Sequence, residues 1–199
     1  MKLIIAISSC IIIGIGLGVA TPVTAQLDPD PDGLGFYADL DGFVNHVNVP
    51  INTPLQIYLL HTRCSASSGV SAWECTVGLT GHIIVLGWNP VGGYINFNVP
   101  PEFEVGIYPP LPWAPAILLM DVWLMVQDLA PCYLSLSGGP LNSLGDGLPV
   151  FAVGDNPEDL RTIYPSSGDV NLPVFAINGQ APIAVVNSTW GEVKNLYGK

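Results

Sequence analysis

The chain has 199 residues, of which 49% are hydrophobic and only 11% are charged, and its formal net charge is −11. This length suits one domain, and so low a share of charged residues is not typical of a disordered chain. The excess of acidic residues argues against nucleic-acid binding, which needs clustered lysines and arginines. It also disfavours an anionic membrane surface and leaves cations as reasonable partners.

Residues 1–25 have the pattern of a secretory signal peptide. Lys2 precedes an uncharged apolar run, Leu3–Val19, and small residues at 23–25 offer a cleavage site before Gln26. The predicted location is therefore extracytoplasmic (periplasm, cell surface or extracellular medium), and export machinery is an implied partner. Because the apolar run is nearly long enough to span a bilayer, an uncleaved N-terminal anchor is the alternative.

Residues 26–42 form an acidic segment that leads into the first strand. Asp28, Asp30 and Asp32 alternate with prolines before a glycine, and Asp39 is the twelfth residue counted from Asp28. This spacing is that of an EF-hand loop, so the four aspartates are candidate calcium ligands and calcium is the candidate cofactor. An extended acidic linker is nevertheless the favoured interpretation, because Asp replaces the usual bidentate Glu at the last position and no helix precedes the loop.

Residues 43–187 alternate short apolar runs with turn signals and are predicted to form one β-sandwich domain. The predicted strands are 36–37, 43–49, 55–62, 70–79, 83–88, 94–99, 131–137, 150–153, 172–177 and 182–186, with one or two more in 116–129. Hairpins are expected at 89–93 and at Asn178-Gly179, a proline-rich edge or crossover loop at 100–115, and a helical turn at 156–160. The pattern predicts an all-β fold, a single antiparallel sandwich of about 8–10 strands, Ig-like, cohesin-like or jelly-roll-like.

The cysteines of an exported protein are candidates for disulfides. Cys64 closes one predicted strand and Cys75 lies in the next, so a Cys64–Cys75 bridge between adjacent strands is favoured. A Cys75–Cys132 bridge is the alternative, and either pairing leaves one thiol over. The sequence has no C-x-x-C pair, which disfavours zinc and thioredoxin-type chemistry.

The sequence shows no catalytic signature, and we predict that the protein is not an enzyme. No G-x-S-x-G motif is present, and no two of His46, His61 and His82 have close metal-ligand spacing. Trp113 and Tyr108, in the proline-rich segment, are candidates for an aromatic surface that binds carbohydrate.

The last segment, residues 188–199, is predicted to form a short amphipathic helix. Trp190, Val193, Leu196 and Tyr197 recur at helical spacing. Such a helix either packs on the sheet or is recognised by export or surface-attachment machinery.

Several phrases resemble those of exported proteins from uncharacterised bacterial lineages, which combine a signal peptide, one β-rich domain and a closing T-W-G-x-V-K-x-L-Y segment. The phrases are 35–39, 70–75, 152–173 and 189–197. The resemblance implies bacterial export and no particular activity. A likeness to cohesin-type sandwiches, prompted by the strand-loop-strand around Trp73, concerns the fold only.

The predicted function is that of a non-catalytic exported sandwich protein, acting at the bacterial envelope or outside the cell in adhesion, scaffolding or assembly. Self-association or another surface protein is the expected kind of partner. A calcium- or carbohydrate-binding module is the alternative, and a secreted hydrolase is the least favoured. Exposed apolar surface or an open sheet edge would favour assembly, because both promote association.

Overall fold

The structure, a computed structural model, describes residues 30–182, and regular structure in this range consists of strands. The strands are β1 (Gly33–Tyr37), β2 (His46–Val47), β3 (Pro54–Thr62), β4 (Val70–Thr80), β5 (Ile83–Pro90), β6 (Tyr94–Asn96), β7 (Glu102–Leu111), β8 (Ala116–Val126), β9 (Cys132–Ser137), β10 (Val150–Val153), β11 (Asn156–Thr162), β12 (Tyr164–Pro165) and β13 (Pro173–Ile177). Within 30–182 there is no helix of the length and apolarity that a membrane span requires. The predicted signal segment and the predicted C-terminal helix lie outside the described residues.

The strands form two sheets that pack as a sandwich, which confirms the predicted fold class. One sheet has five strands in the order β12-β1-β3-β8-β5. The other has eight strands, with the path β11-β10-β4-β9-β13-β2, and β7 and β6 extend it from the other side of β4. Most pairs are antiparallel, but two short pairs, β1–β12 and β2–β13, are parallel.

The core lies between the sheets and follows from alternation along the strands. On β4, Trp73, Cys75 and Val77 are buried, as the predicted inner face requires, whereas Ala72 and Thr76 on the other face are partly exposed. The five-stranded sheet contributes to the core alternate residues of its two long strands, β3 and β8. The buried residues of β3 and β8 include Ile57, Leu59, Ile117, Leu119, Val122 and Leu124.

Two predicted pairings are wrong, although the strands concerned exist. Strands β3 and β4 were expected to be neighbours, but they belong to different sheets, and β3 pairs with β1 and β8. Strands β5 and β6 were expected to form a hairpin, but β5 pairs with β8 in one sheet and β6 with β7 in the other. The turn at 91–93 therefore carries the chain from one sheet to the other.

Two local predictions are also wrong. Residues 100–115 were predicted to form a loop, but they contain β7, which pairs with both β4 and β6. The prolines of this segment lie outside residues 102–107, so the backbone N–H groups of that stretch can donate hydrogen bonds to the neighbouring strands. Residues 156–160 form part of β11, whose pairing with β10 outweighs the local helical tendency. The predicted hairpin at 172–186 is described only for its first strand, β13, because residues 183–186 lie outside the described range.

An aromatic cluster joins the two sheets. The fully buried ring of Phe103 on β7 contacts Trp73 of its own sheet, at a centroid distance of 5.6 Å, and Trp88 of the opposite sheet, at 5.4 Å. Aromatic contacts of this kind add to the free energy gained by burying the rings. Phe103 is therefore a main contact between the layers.

We expect Phe103→Ala to lower the free energy of unfolding by about 3–5 kcal/mol, because it leaves a cavity between the sheets. Urea denaturation followed by tryptophan fluorescence measures the loss. The control is Leu129→Ala, which truncates a side chain that is 68% exposed and lies outside the core, and which should change stability by no more than about 0.5 kcal/mol. Equal losses in the two variants would contradict the role assigned to Phe103.

Candidate functional site

The outer face of the eight-stranded sheet has a row of small residues at its centre. Cα register aligns Ala152 of β10 with Ala72 of β4, and Ala72 with Gly106 of β7. Their chain neighbours Trp73 and Phe151 point into the core, so by alternation this row faces outward. At this row, three adjacent strands thus carry almost no side-chain volume on their outer face.

Large apolar residues stand on both sides of this row. Leu160 of β11 is aligned with Ala152, and Ile95 of β6 is aligned with Gly106. Four interstrand steps separate Leu160 from Ile95, which places their Cα atoms about 19 Å apart. Phe97 and Tyr108 extend the side formed by Ile95, and their side chains are 72% and 85% exposed.

We call this depression the apolar groove: its floor is Ala72, Gly106 and Ala152, and its sides carry Leu160, Ile95, Phe97 and Tyr108. Two cavities of about 450 and 440 Å³ make up its volume, and both are lined by Phe97 and Gly106. They therefore adjoin at these two residues, where the Phe97 ring lies over Gly106. A smooth apolar surface of this kind is unusual on a monomeric protein and is typical of an interaction site.

A loop, residues 138–149, closes one end of the groove and is held by two carboxylates. Glu74 accepts hydrogen bonds from the backbone N–H and the hydroxyl of Ser143, both at 2.9 Å. Glu104 accepts one from the backbone N–H of Leu141 at 3.2 Å. Both acidic side chains are thus used in fixing the loop, and the loop adds the exposed side chain of Leu141 to the groove.

A second cluster lies at one end of the sandwich, where the chain enters β1 and leaves β3. The carboxylate of Asp32 accepts hydrogen bonds from the backbone N–H of Ser65, at 2.8 Å, and from Nε2 of His61, at 3.1 Å. One ligand-type atom from each of Asp32, His61 and Cys64 lies within 4.8 Å of the other two. All three residues are buried.

The electrostatics of this cluster follow from burial and hydrogen bonding. Burial opposes ionisation of Asp32, but the hydrogen bonds from His61 and Ser65 outweigh it and lower the pKa of that carboxyl below its usual value. Burial raises the pKa of the Cys64 thiol, and the nearby Asp32 charge raises it further. In this state the thiol is protonated and is a poor nucleophile.

The predicted Cys64–Cys75 disulfide is not formed. Cys64, Cys75 and Cys132 are all buried free thiols in the described part of the chain. Cys64 follows β3 in one sheet and Cys75 lies within β4 of the other, so the adjacent-strand geometry on which the prediction depended does not exist. The alternative pairing fails because the β4–β9 register aligns Thr80 with Tyr133, which places Cys75 and Cys132 far apart along the two strands.

The structure does not bring the predicted calcium ligands together. Asp30 and Asp32 precede β1 and Asp39 follows it, so an extended strand of five residues, about 17 Å long, separates Asp32 from Asp39. The Asp39 carboxylate instead accepts hydrogen bonds from the backbone N–H groups of Phe43 and Val44 and fixes that turn. Asp28 lies outside the described residues.

The two aromatic residues predicted to bind carbohydrate lie in different settings. Tyr108 lines the groove, whereas Trp113 lines neither of its cavities and donates its indole N–H to the backbone oxygen of Cys64, at 3.0 Å. The pair therefore does not form one aromatic surface. The residues that the sequence analysis missed, above all Gly106 and Ala152, could have been found only by knowing which strands pair.

Comparison with known proteins gives structural similarity alone. No family model matches the chain, and no curated protein does. Among solved structures, the chain is similar to the sixth cohesin of Acetivibrio cellulolyticus scaffoldin B, crystallised with a Cel5 dockerin mutant, at 10% identity and a TM-score of 0.49, over 76% of this chain and 100% of that one. It is also similar to a cohesin module of a Clostridium perfringens family 33 glycoside hydrolase (11% identity, TM-score 0.45, 66% and 90% covered) and to a non-cellulosomal cohesin of Archaeoglobus fulgidus (11%, 0.42, 67% and 84%).

We expect Cys64, Cys75 and Cys132 to be alkylated by iodoacetamide in urea without prior reduction, because each is a free thiol. Chymotryptic peptide mapping by mass spectrometry measures the alkylated fraction at each position. In the folded protein all three should react slowly, since burial limits access and favours the protonated thiol. Recovery of a linked Cys64–Cys75 peptide would contradict this assignment.

Proposed function

We propose that the protein is a non-catalytic, exported subunit of a bacterial envelope or extracellular assembly, and that it binds a second copy of itself through the apolar groove. Export is inferred from the signal-peptide pattern of residues 1–25. The observation that carries the assembly role is the groove itself, a floor of small residues beside projecting apolar side chains on the same face.

We infer that the groove pairs with the same groove of a second copy in a two-fold dimer. In such a dimer the same patch occurs on both sides, and each projecting residue fits a depression of the partner. Phe97 and Ile95 are 72% and 64% exposed on one side, where the Phe97 ring lies over Gly106, and the floor continues from there to Ala72. Two copies placed face to face would pack the exposed Phe97 and Ile95 side chains of each against the groove of the other.

Charge supports a contact confined to this face. The chain carries a net charge of −11, so two copies repel each other at long range. Within the groove, however, Glu74 and Glu104 accept hydrogen bonds from the 138–149 loop, and the projecting side chains are apolar. Close contact therefore buries apolar surface without placing unpaired carboxylates against each other.

A non-catalytic role fits the chemistry of this face. The two carboxylates that line the groove both accept hydrogen bonds from the 138–149 loop and so have a structural role in holding it. The groove offers shape and apolar surface, which are the properties of a binding face.

We expect the protein to dimerise reversibly in sedimentation equilibrium experiments, with a dissociation constant that falls as NaCl is raised. Salt screens the repulsion between two negatively charged copies and leaves the apolar contact intact. Added salt would instead weaken the binding of a basic partner. The direction in which salt changes the dissociation constant therefore distinguishes an apolar self-contact from an electrostatic contact.

We expect Phe97→Asp to weaken the dimer by about tenfold or more, because it places a charge in the apolar contact. The matched control is Leu129→Asp, which adds the same charge at an exposed leucine that does not line the groove. Circular dichroism checks that both variants are folded. A protein that stays monomeric at every concentration and salt level, or equal weakening in the two variants, would overturn the proposed self-association.

A further inference from the structure

The cluster at the end of β3 brings together three chemically different donor atoms. A carboxylate oxygen of Asp32, a ring nitrogen of His61 and the sulfur of Cys64 lie within 4.8 Å of one another, and among residues 30–182 no other group of metal-ligand side chains meets this condition. Bonds to zinc of about 2.0–2.3 Å place neighbouring ligand atoms some 3.4 Å apart. The 3.1 Å separation of Asp32 and His61 is close to that value.

The backbone holds the three side chains in place. Asp32 and Arg63 both adopt left-handed conformations, with φ of 54° and 52°, and the backbone N–H of Asp32 donates to the oxygen of Arg63 at 3.2 Å. The left-handed turn at Arg63 is what carries the chain from His61 on β3 back towards Cys64. The Phe151 ring packs edge-on against the imidazole of His61, at a centroid distance of 4.6 Å.

Two of the three groups have unused bonding capacity in a dry environment. The side chain of His61 is 0% exposed, and its Nδ1 has no hydrogen-bond partner. The Cys64 sulfur makes one long contact of 3.5 Å to the backbone oxygen of Ala66. Nε2 is the ring nitrogen that faces the Asp32 carboxylate, so Nε2, the carboxylate oxygen and the weakly bonded sulfur are the atoms that a metal ion would contact.

The charge around the cluster is compatible with a cation. Arg161 lies close enough to interact electrostatically with Asp32 and Cys64, and its guanidinium is paired with Asp159 at 2.7 Å and donates to the hydroxyl of Ser65. Its charge is therefore balanced by a carboxylate outside the cluster. The Asp32 carboxylate, whose pKa is lowered, supplies negative charge within it.

We propose that Asp32, His61 and Cys64 bind a zinc ion. Nitrogen and sulfur donors favour zinc over calcium or magnesium, which prefer ligand sets made of oxygen. On binding, Cys64 forms the S–Zn bond as a thiolate and releases its proton to solvent. Three protein ligands leave the fourth tetrahedral position to water or to an exogenous ligand. This site is independent of the proposed dimer.

The test uses the purified full chain, first stripped of metal and then titrated with Zn²⁺ and, separately, with Co²⁺. We expect one Zn²⁺ per chain, a melting temperature that rises with Zn²⁺ and falls with chelator, and a cobalt spectrum with the sulfur-to-metal charge-transfer band of a thiolate ligand. A folded protein that shows neither the charge-transfer band nor a shift in melting temperature would overturn the proposal.

Variants separate this site from adventitious binding. Cys64→Ser should abolish the charge-transfer band and weaken zinc binding about tenfold or more, whereas Cys132→Ser removes a buried thiol outside the cluster and should retain both. Loss of the charge-transfer band in both variants would mean that the band does not report specifically on Cys64, and this would overturn the proposal.

A measurement on the unmodified protein covers the case in which Cys64→Ser does not fold. Zn²⁺ should protect Cys64 from iodoacetamide while leaving alkylation of Cys75 and Cys132 unchanged, as read by peptide mapping. Alkylation of Cys64 at the same rate with and without Zn²⁺ would overturn the assignment.

Discussion

The fold depends on the pairing of β4, which is hydrogen-bonded to three strands. Its first half lies between β10 and β7, and its second half pairs with β9. Alternation then fixes two surfaces at once: Trp73, Cys75 and Val77 enter the core, while Ala72 becomes the floor of the groove. A shift of this strand by one residue would exchange its core and outer faces, so the groove is constrained by the same register that fills the core.

The fold class and several strand bounds could be predicted because they depend on local patterns. The apolar runs that became β3 and β4 are flanked by turn residues, and the predicted inner face of β4 is the buried one. Which strands would pair could not be predicted, because pairing in a sandwich joins residues far apart in sequence. The expected Cys64–Cys75 bridge failed for this reason, since neighbours along the chain entered opposite sheets.

The candidate sites could not be predicted for the same reason, because each joins residues that are far apart in sequence. The floor of the groove joins positions 72, 106 and 152, and no short motif marks them. In the buried cluster, His61 and Cys64 are three residues apart, but the third group, Asp32, comes from before β1. The sequence pattern did single out Asp32, but as part of a calcium loop with Asp39. The local sequence does not indicate that the extended strand β1 separates these two residues.

The distribution of basic residues has a consequence for the proteolysis of this protein. Arg63 and Arg161 are the only lysine or arginine residues between positions 30 and 182. Trypsin-like proteases cleave after these residue types, so even the unfolded form of this range offers them two sites. In the folded state Arg161 lies within β11, and the backbone N–H of Arg63 is bonded to Pro115. The sandwich therefore offers few sites to this class of protease by its composition, and the exposed Arg63, in the loop after β3, is the more accessible of the two.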